Sequence, residues 1–226
     1  MHSEFWLDKW QRHEIGFHQA QINVDLQSHW PAVGCPASSP VLVPLCGKSA
    51  DMRWLHARGH RILGVELSPL AAQEFFAEQQ LLPRRSRAGE LECWEAEGYR
   101  ILVGDFFDLD AAAVATIAGV YDRAALVALP APVRMQYARQ LARILPERCG
   151  MLLLTMDYPQ EQMAGPPFAV PESEVRELFA PAFSVTQLSA RECLAAEPRF
   201  QQRGLKQLRE CAYLLERHPA PPAANS

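Results

Sequence analysis

The sequence predicts an α/β domain: a mostly parallel sheet of seven strands, helices on both faces, and a helical cap at the N-terminus. Three observations predict it. From Pro40 onward short apolar runs alternate with helix-patterned segments at intervals of roughly 20 to 30 residues, a spacing that requires right-handed crossovers between parallel strands. The 226 residues suffice to bury one core of six or seven strands. Hydrophobic residues make up 49% and charged residues 21%, the balance of an ordinary soluble globular chain.

Met1 to Trp30 mixes aromatics with helix formers and predicts one or two helices broken near Gly16, the cap of residues 1–30. Pro31 to Pro40 is a loop. The run Val41 to Leu45 predicts a buried strand that feeds a tight turn at Cys46, Gly47 and Lys48. A helix through Met52 and Leu55 ends at Gly59, and Ile62 to Val65 is the second strand, finishing at Glu66. Ser68 and Pro69 open the next helix as N-cap and first-turn residues.

Arg84, Arg85 and Arg87 read as a solvated loop, and Leu91, Cys93 and Trp94 as a short strand that turns at Gly98 into a third core strand, Tyr99 to Val103. A helix is expected near Ala111 to Ile117, and a fourth strand over Gly119 to Leu129. Val133, Tyr137, Leu141 and Leu145 recur every fourth residue and mark a helix face on the sheet. Met151 to Met156 is the fifth strand, buried on both sides. A proline-rich loop, Tyr158 to Pro171, leads to a helix at Glu172 to Phe179, and Phe183 to Leu188 and Cys211 to Leu215 complete the sheet. Residues 1–218 are read as a single domain and 219–226 as a disordered tail.

A net charge of -4 and a pI near 6.0 give no long-range attraction for nucleic acid or anionic lipid. With no apolar leader and no stretch near the ~20 apolar residues of a membrane span, a cytoplasmic protein is expected. Nothing demands more than a monomer. The six cysteines show no Cys-x-x-Cys pair and no histidine at finger spacing, so neither a metal site nor a disulfide framework is expected.

Parallel sheets bind ligands beyond the carboxyl ends of their strands, so the informative residues follow each strand. They are Leu45, Cys46 and Gly47, then Glu66, then Asp105 and Phe106, then Arg123. A glycine turn admits a ligand close to the backbone, a carboxylate after the second strand accepts from a ribose diol, and a polar–aromatic pair after the third holds an adenine. Taken alone, Glu66 is a surface carboxylate, Asp105 the N-cap of a turn, and Arg123 a structural partner for Asp122. Cys46-Gly47-Lys48-Ser49 mimics the end of a phosphate loop, but Leu42 stands where that loop needs glycine. The three-glycine dinucleotide fingerprint is also absent. A ligand without phosphates fits better.

Pro44-Leu45-Cys46-Gly47-Lys48, Arg58-Gly59-His60, Gly64-Val65-Glu66, Gln73-Glu74-Phe75-Phe76, Asp122-Arg123 and Gly165-Pro166-Pro167-Phe168 run in collinear order within Phe5 to His218. In these strings the chain resembles the thiopurine S-methyltransferase family, its bacterial members in particular. The resemblance implies a class I, Rossmann-like methyltransferase that holds S-adenosylmethionine through Trp10, Leu45, Gly47, Glu66 and Arg123, with adenine contacts from Asp105 and Phe106. Ala124 follows Arg123 where relatives carry glycine, and Asp105 and Phe106 replace a serine and isoleucine of animal relatives. The implied reaction is methyl transfer to the sulfur of thiopurines and aromatic or heterocyclic thiols, with selenium or tellurium species as further acceptors in detoxification.

Such an in-line displacement needs alignment and dryness more than acid or base. Arg123 is the expected catalytic residue, paired either with the cofactor carboxylate or with an anionic sulfur. Phe17 and Phe168 are the expected substrate contacts, and His13 and His18 are read as surface or capping residues. Two other readings compete: an NAD-dependent Rossmann oxidoreductase using Glu66 for the ribose, and a non-catalytic binding module.

Overall fold

The computed structural model describes residues 3–16 and 18–218. Helices α1 (Ser3–Gln11) and α2 (Val24–His29) precede the sheet and are separate, as the break near Gly16 predicts. The chain then runs β1 (Pro40–Pro44), α3 (Ala50–Ala57), β2 (Arg61–Glu66) and α4 (Pro69–Glu78). It continues through β3 (Arg84–Ala88), β4 (Leu91–Ala96), β5 (Tyr99–Val103), β6 (Gly119–Arg123), α5 (Ala131–Ile144) and β7 (Gly150–Asp157). The last elements are α6 (Glu172–Phe179), β8 (Phe183–Glu192), α7 (Pro198–Gln202) and β9 (Arg209–Arg217).

All nine strands join one sheet in the order β3-β4-β5-β2-β1-β6-β7-β9-β8. The central five, β5 to β7, are parallel, and β9 runs antiparallel between β7 and β8. Successive residues of each central strand face opposite sides, so the sheet has two cores. Leu42, Leu63, Leu102, Val120 and Leu153 pack with Tyr137 and Leu141 of α5 and Phe179 of α6. Val41, Ile62, Ile101, Tyr121 and Leu152 pack on the other face with Leu26, Met52, Phe75 and Phe76.

Three expectations are corrected. Among the described residues the sheet has nine strands, not seven, because two more join it: the short strand expected at Leu91 to Trp94, which is β4, and Arg84–Ala88, a strand rather than a loop, the two forming a hairpin on the edge of β5. The side chains of β3 are solvated, so no apolar alternation marks it. What seats it is the Arg85 guanidinium stacked 3.6 Å from the Trp94 ring centroid. A charged strand is also well suited to a sheet edge, where it discourages pairing with other chains.

The segment at Ala111 to Ile117 forms turns instead of a helix. Asp110 Oδ1 accepts from the Ala113 N–H, and Val114 and Ile117 are already buried, which leaves too little chain to repay helix nucleation. The fourth strand ends at Arg123, not Leu129: Ala124 takes a left-handed φ of 68°, and Leu126–Ala128 is a 3-10 turn. The expected tail, 219–226, lies outside the described residues.

Candidate active site

The five parallel strands end at one crest, where a cavity of about 730 Å³ opens, within the ~300–1,000 Å³ of small-molecule sites. After β1 the chain reverses sharply: Leu45 (φ 47°) and Gly47 (φ 52°) are both left-handed. For Leu45 that backbone costs roughly 1–2 kcal/mol, a strain of the kind found at ligand sites. Gly47 keeps room for α1, since a Cβ there would stand 3.3 Å from Cζ2 of the buried Trp10 indole. Leu45, Gly47 and Trp10 all line the cavity.

Glu66 ends β2 and is 6% exposed. Its Oε2 accepts from the Gly47 N–H at 2.7 Å and its Oε1 from the Ser68 N–H at 2.8 Å. Burial raises its pKa, while the amides of Ser68, Gly47 and Leu67 pull it back. The two oxygens together carry four acceptor directions, so beside these amides the carboxylate keeps capacity to accept from a diol hydroxyl. Asp105 lines the cavity and also caps a turn, accepting from the Phe107 N–H at 2.9 Å through Oδ1. Phe106 is buried with its ring centroid 4.9 Å from that of Tyr137, and it forms an apolar wall.

Arg123 sits on the far side of β1 from Glu66, its side chain 13% exposed. Nη1 lies 3.4 Å from Asp51 Oδ2; the same oxygen accepts from Tyr121 OH at 2.8 Å, and Oδ1 accepts from the Asn23 N–H at 2.8 Å. Nε and Nη2 make no hydrogen bond to the described residues, so most of the guanidinium fork is open toward the cavity it lines. Asp122 is not its partner. Strand alternation turns Asp122 to the opposite face, where it accepts from Tyr137 OH at 2.7 Å and the Leu126 N–H at 3.2 Å, and burial pushes its carboxyl up to about 6.

The structure thus gathers Trp10, Leu45, Gly47, Glu66, Asp105, Phe106 and Arg123 around one cavity. Phe168 is not among its lining residues. Its ring lies over Gly165, where a Cβ would come within 2.5 Å of Cδ1, and 5.9 Å from the Arg134 guanidinium. The loop presents Gly165, Pro166 and Pro167 to the cavity instead. Phe17 lies outside the described residues.

Several lining residues escaped the sequence reading. His18 is one, half-buried with its pKa lowered mainly by desolvation. Lys48 is another, tied to α4 by Glu74 at 2.8 Å and Glu78 at 2.6 Å. Thr155 and Glu210, on the adjacent ends of β7 and β9, also line the cavity, as do Arg199, Phe200 and Arg203 near α7. Thr155 and Glu210 carry no local motif and are brought to the cavity by strand order, whereas Lys48 lies in the turn after β1 and His18 between α1 and α2. Among the described residues no cluster of His, Cys, Asp and Glu has the arrangement of a metal site, and no helix is long and apolar enough to cross a membrane.

Comparison with known proteins bears on this geometry. The sequence model of the family described as Thiopurine S-methyltransferase matches residues 1–218. A thiopurine S-methyltransferase of Azotobacter vinelandii is 49% identical, over 96% of this chain and 100% of its own length. One of Xanthomonas euvesicatoria pv. vesicatoria is 48% identical over 96% and 99%. Among solved structures, a SAM-dependent methyltransferase from Anabaena variabilis superposes with a TM-score of 0.67 at 12% identity, covering 96% of this chain and 95% of that one. A Burkholderia thailandensis 1,6-didemethyltoxoflavin-N1-methyltransferase, solved with its didemethyltoxoflavin and S-adenosylhomocysteine, gives 0.62 at 15%, covering 96% and 87%. These matches give no support to the alternative of an NAD-dependent oxidoreductase.

Proposed function

The chain belongs to the thiopurine S-methyltransferase family and is an S-adenosylmethionine-dependent methyltransferase; from that premise we propose that it methylates the sulfur of thiopurines and of other aromatic or heterocyclic thiols. Selenols and tellurium species, softer nucleophiles of the same kind, fall within the same reading as detoxification substrates. The observation that carries it is the pairing at the crest of a buried, amide-clasped carboxylate, Glu66, with an Arg123 guanidinium of which only Nη1 is engaged. β2 and β6 flank β1, which sets these strands about 10 Å apart. The donor set therefore suits a ligand with a diol at one end and a carboxylate at the other.

In this reading S-adenosylmethionine supplies a methyl group made electrophilic by its sulfonium. Glu66 accepts from the ribose hydroxyls, and Asp105 and Phe106 border the adenine. Leu45 and Gly47 offer backbone at the turn. The Trp10 indole covers it, its π face contributing roughly 0.5–2 kcal/mol toward a nearby cation. Arg123 fixes the amino-acid carboxylate or steadies an anionic acceptor sulfur, with Asp51 and Tyr121 holding the guanidinium in place. A thiol or thiolate acceptor asks for no dedicated base, so the residues act by orientation and by excluding water, for which α1 and the Gly165–Pro167 turn are placed. Every group used lies on one chain, so a monomer suffices.

The test is calorimetric binding of S-adenosylhomocysteine, together with mass-detected methyl transfer from S-adenosylmethionine to a thiopurine. Saturable binding and methylated product are expected. Glu66→Gln should weaken binding about tenfold or more, because a charge-assisted acceptor becomes a neutral one. Glutamine is preferred to alanine because it keeps one acceptor oxygen for the Gly47 and Ser68 amides, both of which alanine would orphan. A protein that neither binds the homocysteine product nor methylates any thiol would refute the proposal.

A further inference from the structure

Among the described residues five carboxylates line the cavity. Glu14 is tied to Lys9 and Glu197 to Arg199, while Glu66 is clasped by amides and Asp105 caps its turn. The fifth is Glu210, near the start of β9, its side chain 18% exposed.

Glu210 shares a sheet face with Arg123. Arg123 is level with Leu154 and Leu154 with Ala212 across the ladders, and Glu210 stands two residues from Ala212, which returns it to the same side. Asn23 links the two groups. Its N–H donates to Asp51 Oδ1, Asp51 Oδ2 lies 3.4 Å from Arg123 Nη1, and Asn23 Nδ2 donates to Glu210 Oε1 at 3.2 Å. Arg191 Nη2 donates to Glu210 Oε2 at 2.7 Å and also to Asp25. A carboxylate has four acceptor directions, so beside these two donors Glu210 keeps capacity to accept.

No hydrogen bond or ion pair joins Arg123 to Glu210, yet each lies in the other's field. Burial first, and then the Asp25 carboxylate, raise the Glu210 pKa, while the Arg123 guanidinium, ahead of Arg191, pulls it back. His29 apart, which stands 3.6 Å from Asp25, three carboxylates here, Asp25, Asp51 and Glu210, face two guanidiniums. An ammonium evens the count. A ligand that bears a carboxylate and an ammonium on one carbon answers both of the charges that open on the cavity.

We infer that Glu210 accepts a hydrogen bond from the α-ammonium of S-adenosylmethionine while Arg123 holds its α-carboxylate, so that the two together read the zwitterionic end of the donor. This rests on the proposed function, and it gives Arg123 to the cofactor rather than to the acceptor sulfur. A site built to hydrogen-bond a group rejects the analogue that lacks it, because the protein group is then left unpaired.

The test measures calorimetric affinities of the full-length wild type and Glu210→Gln for S-adenosylhomocysteine, its analogue with hydrogen in place of the α-ammonium, and its analogue with hydrogen in place of the α-carboxylate. Glu210→Gln should weaken S-adenosylhomocysteine and the decarboxylated analogue about tenfold and leave the deaminated analogue within about twofold. A purely structural role would weaken all three alike. Should Glu210→Gln not fold, Glu210→Asp, which keeps the charge but withdraws it by one methylene, is read in the same way. Equal losses on all three, or no loss on any, overturn this inference alone, as does a wild type that binds the deaminated analogue as tightly as S-adenosylhomocysteine. A wild type that binds none of the three overturns it together with the proposed function.

Discussion

Two neighbouring residues, Asp122 and Arg123, show how little a side chain's sequence neighbour says about its partner. Being adjacent in β6 sends them to opposite faces, Asp122 into the Tyr137 side and Arg123 to Asp51, 72 positions away. Asp122 has a consequence for stability. Its carboxyl is raised from 3.8 to about 6 by burial, against the hydrogen bonds from Tyr137 and Leu126 that favour the charge. Between those values the folded state holds a proton that the unfolded state has released, so this group's contribution is greatest below pH 4 and falls as pH rises through 6. In Asp122→Asn that decline disappears. Urea denaturation at pH 4 to 7 should show the variant's stability relative to wild type rising by up to about 3 kcal/mol between pH 4 and 6 and then levelling. Parallel profiles would show that Asp122 does not titrate in this range.

Elements were legible where their own pattern carried the information. The central strands and α5 have apolar faces readable along one stretch of chain, and α6 lies at Glu172–Phe179 as expected. β3 escaped because its faces are both polar and its seat is a cation over a tryptophan on another strand. Element junctions are similarly opaque. Gly150 opens β7 beneath the 3-10 turn Trp30–Val33, and a Cβ there would stand 2.6 Å from Val33 O and 2.9 Å from Val33 Cγ1. Backbone cannot yield as a flexible side chain does, so Gly150→Ala should cost about 1–3 kcal/mol. In a chain of this size that lowers the melting temperature by roughly 2–4 °C per kcal/mol. Calorimetry that finds the variant unchanged would mean that the turn moves freely.

At the scale of the molecule, a sheet buried on both faces supports a crest where charged groups are held apart from water by α1, the 165–167 turn and the end of α7. Binding to this folded crest must stabilise the whole chain. S-adenosylhomocysteine at one hundred times its dissociation constant adds about 2.7 kcal/mol, and so should raise the melting temperature by roughly 5–10 °C. Thermal melts with and without the compound check this, and a coincident pair would place binding elsewhere or nowhere.

Reading along the chain was enough to find the alternation and, with it, Leu45, Gly47, Glu66, Asp105 and Arg123, because in a parallel sheet the residues that follow each strand necessarily meet at one edge. Periodicity tells which face of its own element a residue occupies; it carries no record of what another element lays against that face. The Asp51–Arg123 pair, the Asn23–Glu210 contact beside the site and the rotation of Phe168 onto Gly165 therefore came from strand order and loop closure, not from any pattern along the chain.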